Sequence, residues 1–145
     1  MPGPNSVADT PDLPQYLFVY GTLMRGFANL FARKLEEEGT YLSAGSMPGS
    51  LYLVDWYPGA IRDESSISKV YGEVFRLHAP DTLLTELDEY EDVSEDEKSS
   101  LYLRKKVDIT CDTGDQLLCW TYLYNQPVHT LSLLKSGNFR DWVKP

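Results

Sequence analysis

The sequence has few of the residues on which several common classes of protein depend. It contains only 2 cysteines and 2 histidines in 145 residues. No stretch approaches the about 18 uninterrupted apolar residues that a membrane-spanning helix needs, so we expect no membrane partner. No basic segment leads into an apolar one near residue 1, and we therefore expect no secretory signal.

Positive charge is also scarce. The chain has 13 Lys and Arg against 22 Asp and Glu, a formal net charge of −9. Because phosphate contacts need a basic surface, we do not expect nucleic acid as a partner. Part of the acidic excess lies in residues 86–97, a pattern typical of a solvated surface, although such a face could also bind a basic partner.

We expect no disulfide between the two cysteines. Cys111 and Cys119 flank residues 112–115, which have the composition of a hairpin turn. A two-residue turn would place Cys111 opposite Gln116 and Cys119 opposite Asp108, about 10 Å apart along the ribbon. Free thiols favour a reducing compartment, so we expect a cytoplasmic protein. No ligand spacing for zinc is present, and we expect no metal.

The pattern of apolar residues predicts a disordered tail over residues 1–14 and a single domain over 15–145. We predict strands and helices by their periodicity and their turn signals. Strands are predicted over 16–20, 40–47, 50–54, 60–62, 70–77, 101–110 and 116–124, and helices over 27–38, 80–92 and within 130–142. This order favours an α+β fold with a mixed sheet or small β-barrel and flanking short helices.

One carboxylate in the second predicted helix breaks the expected pattern. Side chains on a helix advance by about 100° per residue, so Leu83, Leu84, Leu87 and Tyr90 share an inward face. Glu91 falls inside that face, at about 80° from Leu83. A buried carboxylate has a raised pKa, which suits a general acid/base near neutral pH. Alternatively, Glu91 turns outward at the helix end or pairs with Lys or Arg.

A glycine-bounded loop follows the first predicted strand. Gly21 and Gly26 have the spacing of a phosphate loop, but Phe27 and Ala28 stand where that loop requires Lys and Ser or Thr. We therefore exclude a nucleotide P-loop. The remaining alternatives are a tight turn and a loop whose backbone N–H groups hold an anion such as a carboxylate.

Six segments in order resemble one known family. Phe18–Gly26, which contains Tyr-Gly-Thr-Leu, resembles the signature of the γ-glutamylcyclotransferase-like superfamily, and especially its AIG2-like or γ-glutamylamine cyclotransferase-like branch. The similarity covers roughly residues 16–142. It continues through residues 57–60, 70–75, 87–91, 101–104 and 120–125.

The resemblance implies a small mixed β-barrel and an intramolecular reaction without metal or cofactor. In this family the α-amine of a γ-glutamyl group attacks its own γ-carbonyl, which expels an amine and leaves 5-oxoproline. The family's catalytic Glu corresponds to Glu91, which would act as general acid/base. The family's substrate-binding loop corresponds to Tyr20, Gly21, Thr22 and Leu23. Weaker correspondences, expected to shape the pocket or balance its charge, are Tyr102, Arg104 and Tyr124.

The expected partner is a small-molecule γ-glutamyl substrate, and the oligomeric state stays open. Two other functions fit the same resemblance. The domain could bind a small molecule without catalysis, or it could remove a γ-glutamyl group from a specialised biosynthetic intermediate. The acidic residues 93–100, if they border the pocket, would favour a cationic leaving amine.

Overall fold

A computed structural model describes residues 14–94 and 96–143 of the chain. The predicted tail over residues 1–14 therefore lies outside the described residues, except for its last residue. The described elements follow one another in this order. They are β1 (Tyr16–Val19), α1 (Leu30–Glu38), β2 (Gly39–Leu53), β3 (Pro58–Arg62), β4 (Lys69–Leu77), α2 (Pro80–Tyr90), a 3₁₀ turn (Glu97–Ser99), β5 (Tyr102–Cys111), β6 (Gln116–Tyr124), β7 (Ser132–Leu134) and α3 (Phe139–Trp142).

Five of the strands close into a small barrel. β2 pairs with β4, β4 with β1, β1 with β6, and β6 with β5, and β5 pairs with β2 to complete the ring. Only β1 and β6 run parallel among these pairs, so the barrel is mixed. β3 and β7 both pair with the second half of β2 and extend the sheet. The predicted α+β class with a small mixed barrel and flanking short helices is confirmed.

The strand β2 is continuous where the sequence predicted a turn. Pro48 still pairs with Lys69 of β4, whereas Gly49 pairs with Arg62 of β3. The Pro-Gly pair therefore marks the point at which the strand changes partners. A Cβ atom on Gly49 would lie 2.1 Å from the carbonyl oxygen of Ile61, so a glycine is needed for this close approach.

The pairing register of the hairpin strands β5 and β6 is shifted by one residue from the predicted register. Cys119 pairs with Val107, and the N–H of Cys111 donates to the carbonyl of Asp115 at 2.8 Å. The turn has three residues because Gly114 adopts the left-handed conformation, with φ of 95°. Both cysteines are buried and free, as predicted.

The ends of the helices also differ from their predicted positions. α1 begins at Leu30 rather than residue 27, because the Asn29 side chain accepts a hydrogen bond from the N–H of Ala32 at 2.8 Å and caps the helix. The region predicted to hold one helix within 130–142 contains β7 and the short α3. None of the helices in residues 14–94 and 96–143 is long and apolar enough to cross a membrane.

The core fills the barrel and the space beneath α2. Leu83, Leu84 and Leu87 of α2 are all buried, so the predicted inward face of this helix is confirmed. β1 lies between β4 and β6, and its Leu17 and Phe18 are almost fully buried. The loop after β1 and the end of α2 are thereby held at the same end of the barrel.

Candidate active site

A cavity of about 190 Å³ opens at this end of the barrel. Its wall is formed by the loop after β1, the end of α2, the start of β3 and the two hairpin strands β5 and β6. The lining residues are Phe18, Val19, Tyr20, Gly21, Thr22, Leu23, Trp56, Tyr57, Pro58, Tyr90, Glu91, Leu101, Tyr102 and Tyr122. Aromatic rings dominate this set, and it contains a single carboxylate.

That carboxylate belongs to Glu91, the first residue beyond α2. Its backbone stays close to helical geometry, with φ of −89° and ψ of 7°, and its N–H donates to the carbonyl of Leu87 at 2.9 Å. The inward direction predicted from helical periodicity therefore continues for one residue past the helix. Burial raises the pKa of the Glu91 carboxyl to about 8.

No described residue forms a hydrogen bond or an ion pair with the Glu91 side chain. The residue is partly buried and lines the cavity, and its carboxyl lacks a Lys or Arg partner among residues 14–94 and 96–143. A carboxyl without a charged partner in such surroundings is costly to ionise, and a group of this kind can exchange a proton near neutral pH. The alternative prediction, an ion pair between Glu91 and a Lys or Arg, therefore has no counterpart among the described residues.

Five tyrosines surround the cavity, and burial raises the pKa of each phenol. The negative charge of Glu91 adds to this effect at every one of them. The phenols therefore stay neutral at pH values at which Glu91 ionises. These tyrosines are Tyr20, Tyr57, Tyr90, Tyr102 and Tyr122.

Hydrogen bonds fix the inner tyrosines to the barrel backbone. The Tyr20 hydroxyl donates to the carbonyl of Tyr122 and accepts from the N–H of Ala60 at 3.1 Å. The Tyr102 hydroxyl donates to the carbonyl of Pro58. These contacts join the loop after β1 to β3 and β6, and β5 to β3, so the barrel backbone holds the inner tyrosines in place.

The loop after β1 leaves several backbone donors free. Its turn is closed by the N–H of Met24, which donates to the carbonyl of Gly21 at 3.1 Å. The Asn29 side chain donates to the carbonyl of Thr22 at 2.8 Å while it caps α1. No described residue accepts a hydrogen bond from the N–H of Gly21, Thr22 or Leu23. Successive free N–H groups of this kind suit a carboxylate or a developing oxyanion.

A buried acidic side chain anchors the far end of this loop. Glu73 of β4 is 6% exposed and accepts from the N–H of Arg25 at 2.9 Å. It also accepts from the guanidinium of Arg140 at 3.1 Å, and Arg140 donates to the carbonyl of Arg25 at 2.7 Å. α3 is thus tied to the loop through Glu73. This anchor was not predicted, although an acidic residue within an apolar strand was a usable signal.

The predicted site residues divide into two groups. The cavity brings together Tyr20, Gly21, Thr22, Leu23, Tyr102 and Glu91. Arg104 and Tyr124 are not among its lining residues. Arg104 pairs with Asp88 on the outer side, whereas the Tyr124 ring packs edge-on against Tyr102 with centroids 5.6 Å apart. These two residues support the wall from behind.

Eight lining residues were not predicted as part of the site, and they are Phe18, Val19, Trp56, Tyr57, Pro58, Tyr90, Leu101 and Tyr122. Trp56 is 61% exposed at the cavity and meets the ring of Tyr57 edge-on, with centroids 5.0 Å apart. The hydroxyl of Tyr122 points away from the cavity and donates a hydrogen bond to Asp88 at 2.7 Å. The aromatic pair before Pro58 was the available signal for Trp56, since aromatic side chains commonly line ligand pockets. Leu101 had no feature in the sequence that would have indicated a place in the site.

Within the described part of the chain, no group of three or more His, Cys, Asp or Glu side chains is arranged to hold a metal ion. The polar groups at the cavity are instead one carboxyl, several phenols and backbone amides. This set can move a proton and can bind an anion.

The model of the family described as γ-glutamyl cyclotransferase, AIG2-like, matches residues 17–142. The chain belongs to this family. The matched residues include the loop after β1, α2 with Glu91, and both strands of the long hairpin. The resemblance found in the sequence is therefore confirmed over nearly the whole described domain.

One curated relative and two solved structures are similar to this chain. The protein MJ1514 of Methanocaldococcus jannaschii, whose name carries the activity as a provisional assignment, is 29% identical over 129 residues, which are 88% of this chain and 98% of that protein. The crystal structure of an AIG2-like protein from Mus musculus has a TM-score of 0.66 at 22% identity, over 85% of this chain and 87% of its own. YkqA from Bacillus subtilis gives a TM-score of 0.66 at 20% identity over 89% of this chain, but only 40% of its own length. The two structures share the fold.

Proposed function

We propose that the protein converts a γ-glutamyl amine to 5-oxoproline and a free amine, with Glu91 as the general acid/base. The observation that carries this proposal is the Glu91 carboxyl, which lines the cavity without an ionic partner, has a raised pKa and lies beside a loop with free backbone donors. A site that only held a carboxylate ligand would gain nothing from an acidic group at this position.

The chemistry requires one group that first accepts a proton and later returns it. The α-ammonium of the substrate is not a nucleophile until it loses a proton, which the Glu91 carboxylate accepts. The free amine then attacks the γ-carbonyl carbon, and a new C–N bond closes the five-membered ring. Protonated Glu91 donates to the departing nitrogen and the original C–N bond breaks. The ring nitrogen passes its extra proton to the released amine, so the products are 5-oxoproline and an ammonium ion, and Glu91 is again a carboxylate.

Backbone donors of the loop have two possible targets on this substrate. The N–H groups of Gly21, Thr22 and Leu23 would bind the α-carboxylate or the oxyanion formed from the γ-carbonyl. Either contact would hold the glutamyl chain folded so that the amine approaches its own carbonyl. Such positioning contributes on the order of several kcal/mol to an intramolecular reaction.

The shape of the cavity separates the two halves of the substrate. The enclosed part beside Glu91 and the loop would hold the glutamyl group, which all substrates share. The variable amine would then lie toward the exposed ring of Trp56. A reaction of this kind uses the residues described above and calls for no cofactor.

The direct test is the formation of 5-oxoproline by the native protein and by Glu91→Gln, with a panel of γ-glutamyl amines, γ-glutamyl amino acids and glutathione. Glu89→Gln is the matched control, because Glu89 is an exposed carboxylate on the same helix. We expect turnover by the native protein and the control, and none by Glu91→Gln. Turnover by all three proteins would exclude Glu91 as the acid/base. Binding without turnover by the native protein would favour a non-catalytic role.

A further inference from the structure

We propose that Asp88 is a positioning residue that ties the last turn of α2 to β5 and β6 and so keeps the Glu91 carboxyl in the cavity. The inference deepens the proposed function and rests on it. Asp88 lies three residues before Glu91, on the edge of the inward face of α2. It is not among the residues that line the cavity.

Three hydrogen bonds from two strands converge on the Asp88 carboxylate. Arg104 donates from Nε to Oδ1 at 2.7 Å and from Nη2 to Oδ2 at 3.1 Å. The hydroxyl of Tyr122 donates to Oδ1 at 2.7 Å. The two parallel bonds from a guanidinium fix the orientation of a carboxylate as well as its position.

The two donors are cross-strand partners. Arg104 of β5 and Tyr122 of β6 lie directly opposite each other in the hairpin register. The ring of Trp120 supports the guanidinium of Arg104 from one side, at 4.3 Å from its centroid. The barrel thus offers Asp88 a rigid pair of donors rather than flexible side chains.

The other acidic residues of α2 do not make this connection. Glu86 pairs with Lys34 of α1 at 2.9 Å, and Glu89 is exposed. Only Asp88, among the acidic residues of this helix, bonds through its side chain to the barrel hairpin. Its carbonyl also accepts from the N–H of Val93 at 2.9 Å, which turns the chain back after Glu91.

Glu91 needs such an external tie because its own side chain has no partner among the described residues. Burial disfavours its ionised form, so a free helix end would let the carboxylate turn toward water. The cavity would then lose its base although every lining residue remained. The fixed backbone between Asp88 and the turn after Glu91 opposes that movement.

Two measurements on Asp88→Asn test this inference, with Glu86→Gln as a matched change on the same helix. The first is kcat and KM for the best γ-glutamyl amine. We expect kcat of Asp88→Asn to fall at least about tenfold with KM changed by less than about threefold, because misplaced groups reduce the chemical step more than binding. Arg104→Lys, which keeps the charge and loses the fork, should lie between native and Asp88→Asn.

The second measurement does not depend on turnover. It is an NMR titration of ¹³C-labelled Glu side chains, in which Glu91→Gln identifies the Glu91 signal. We expect the pKa of Glu91 to move down toward its ordinary value in Asp88→Asn and to stay unchanged in Glu86→Gln. Tyr122→Phe, which removes one of the three bonds, should give a smaller shift in the same direction and serves if Asp88→Asn fails to fold.

The outcomes separate the two proposals. A native protein that forms no 5-oxoproline overturns the proposed function, while the titration still tests the position of Glu91. A folded Asp88→Asn or Tyr122→Phe variant with an unchanged Glu91 pKa overturns the positioning role. Equal losses of kcat in Asp88→Asn and Glu86→Gln would also overturn it, since the effect would then belong to the helix as a whole.

Discussion

Gly21 and Pro58 lie so close together that a Cβ atom on Gly21 would be 2.8 Å from Cγ of Pro58. Gly21 lies in the loop after β1 and Pro58 begins β3, on two sides of the same cavity. The absence of a side chain at residue 21 therefore allows the two walls to meet. The proposed backbone donors depend on this approach.

Gly21→Ala should accordingly raise KM for a γ-glutamyl amine, because the loop must shift away from Pro58 to make room. The expected change is about tenfold or more, the scale on which small misplacements act. Gly26→Asn is the matched control. Gly26 has open space around it and φ of 90°, a conformation that asparagine tolerates. Equal KM values for native and Gly21→Ala would contradict the prediction.

The pH dependence of turnover follows from the raised pKa of Glu91, about 8. Only the ionised carboxylate accepts a proton from the substrate, and at pH 7 it would be ionised in roughly a tenth of the molecules. We expect kcat/KM to rise with pH between about 6 and 8 and then to flatten near the carboxyl pKa. A profile that is already flat above pH 5 would show that Glu91 titrates as an ordinary carboxyl.

Folding stability should respond to the same group with a defined sign. The pKa of Glu91 is raised from 4.5 to about 8 in the folded chain, so the folded state holds this proton more tightly than the unfolded state. Its contribution is fully present below about pH 4.5 and is lost as pH rises to about 8, by up to roughly 1.4 kcal/mol per pH unit.

The substitution Glu91→Gln removes this loss of folding stability at high pH, because glutamine does not ionise. Urea denaturation should therefore show the variant to be more stable than the native protein at pH 9, and the two should converge near pH 5. Glu89→Gln, which changes an exposed carboxylate on the same helix, should follow the native protein at both pH values. A difference between native and Glu91→Gln that does not vary with pH would contradict this origin.

Trp56 should influence which amine is released. Its ring is 61% exposed and belongs to the cavity wall, so it offers an apolar surface to the variable half of the substrate. Trp56→Ala should lower kcat/KM for γ-glutamyl conjugates of large apolar amines by about tenfold, the scale of one lost apolar contact surface. Conjugates of methylamine should change little.

Trp142→Ala is the control for this change. Trp142 is also partly exposed, but it packs on Phe139 in α3 rather than at the cavity. The two variants should differ only with large amines. An equal effect of Trp56→Ala on small and large amines would indicate a general loss of cavity structure instead of selectivity.

The periodicity of apolar residues was sufficient to predict a helix or strand where one face of that element is buried. The inward face of α2 and the direction of Glu91 followed from a repeat of 3.6 residues, and the barrel strands followed from aromatic and β-branched runs. These signals are local and repeat several times within one element. The family resemblance supplied the arrangement of those elements, which local patterns do not contain.

The errors concern features that depend on distant partners. Pro48 and Gly49 have the composition of a turn, but their conformation is set by pairing with two different strands. Arg104 stays a residue expected to shape the pocket or balance its charge, but its pairing with Asp88 was not visible, since periodicity places Asp88 only at the edge of a helical face. The register of the β5–β6 hairpin depended on one backbone angle at Gly114.

The parallel pairing of β1 with β6 has a consequence for how the chain folds. Leu17 pairs with Trp120, so the four-residue strand β1 gains one of its two neighbours only after most of the chain is available. Pairing between residues so distant in sequence raises contact order and slows folding. During synthesis the strand that leads into the loop with the backbone donors would therefore lack this neighbour until β6 leaves the ribosome. A chain truncated before β6 would hold every residue of that loop and of α2, yet would have no cavity.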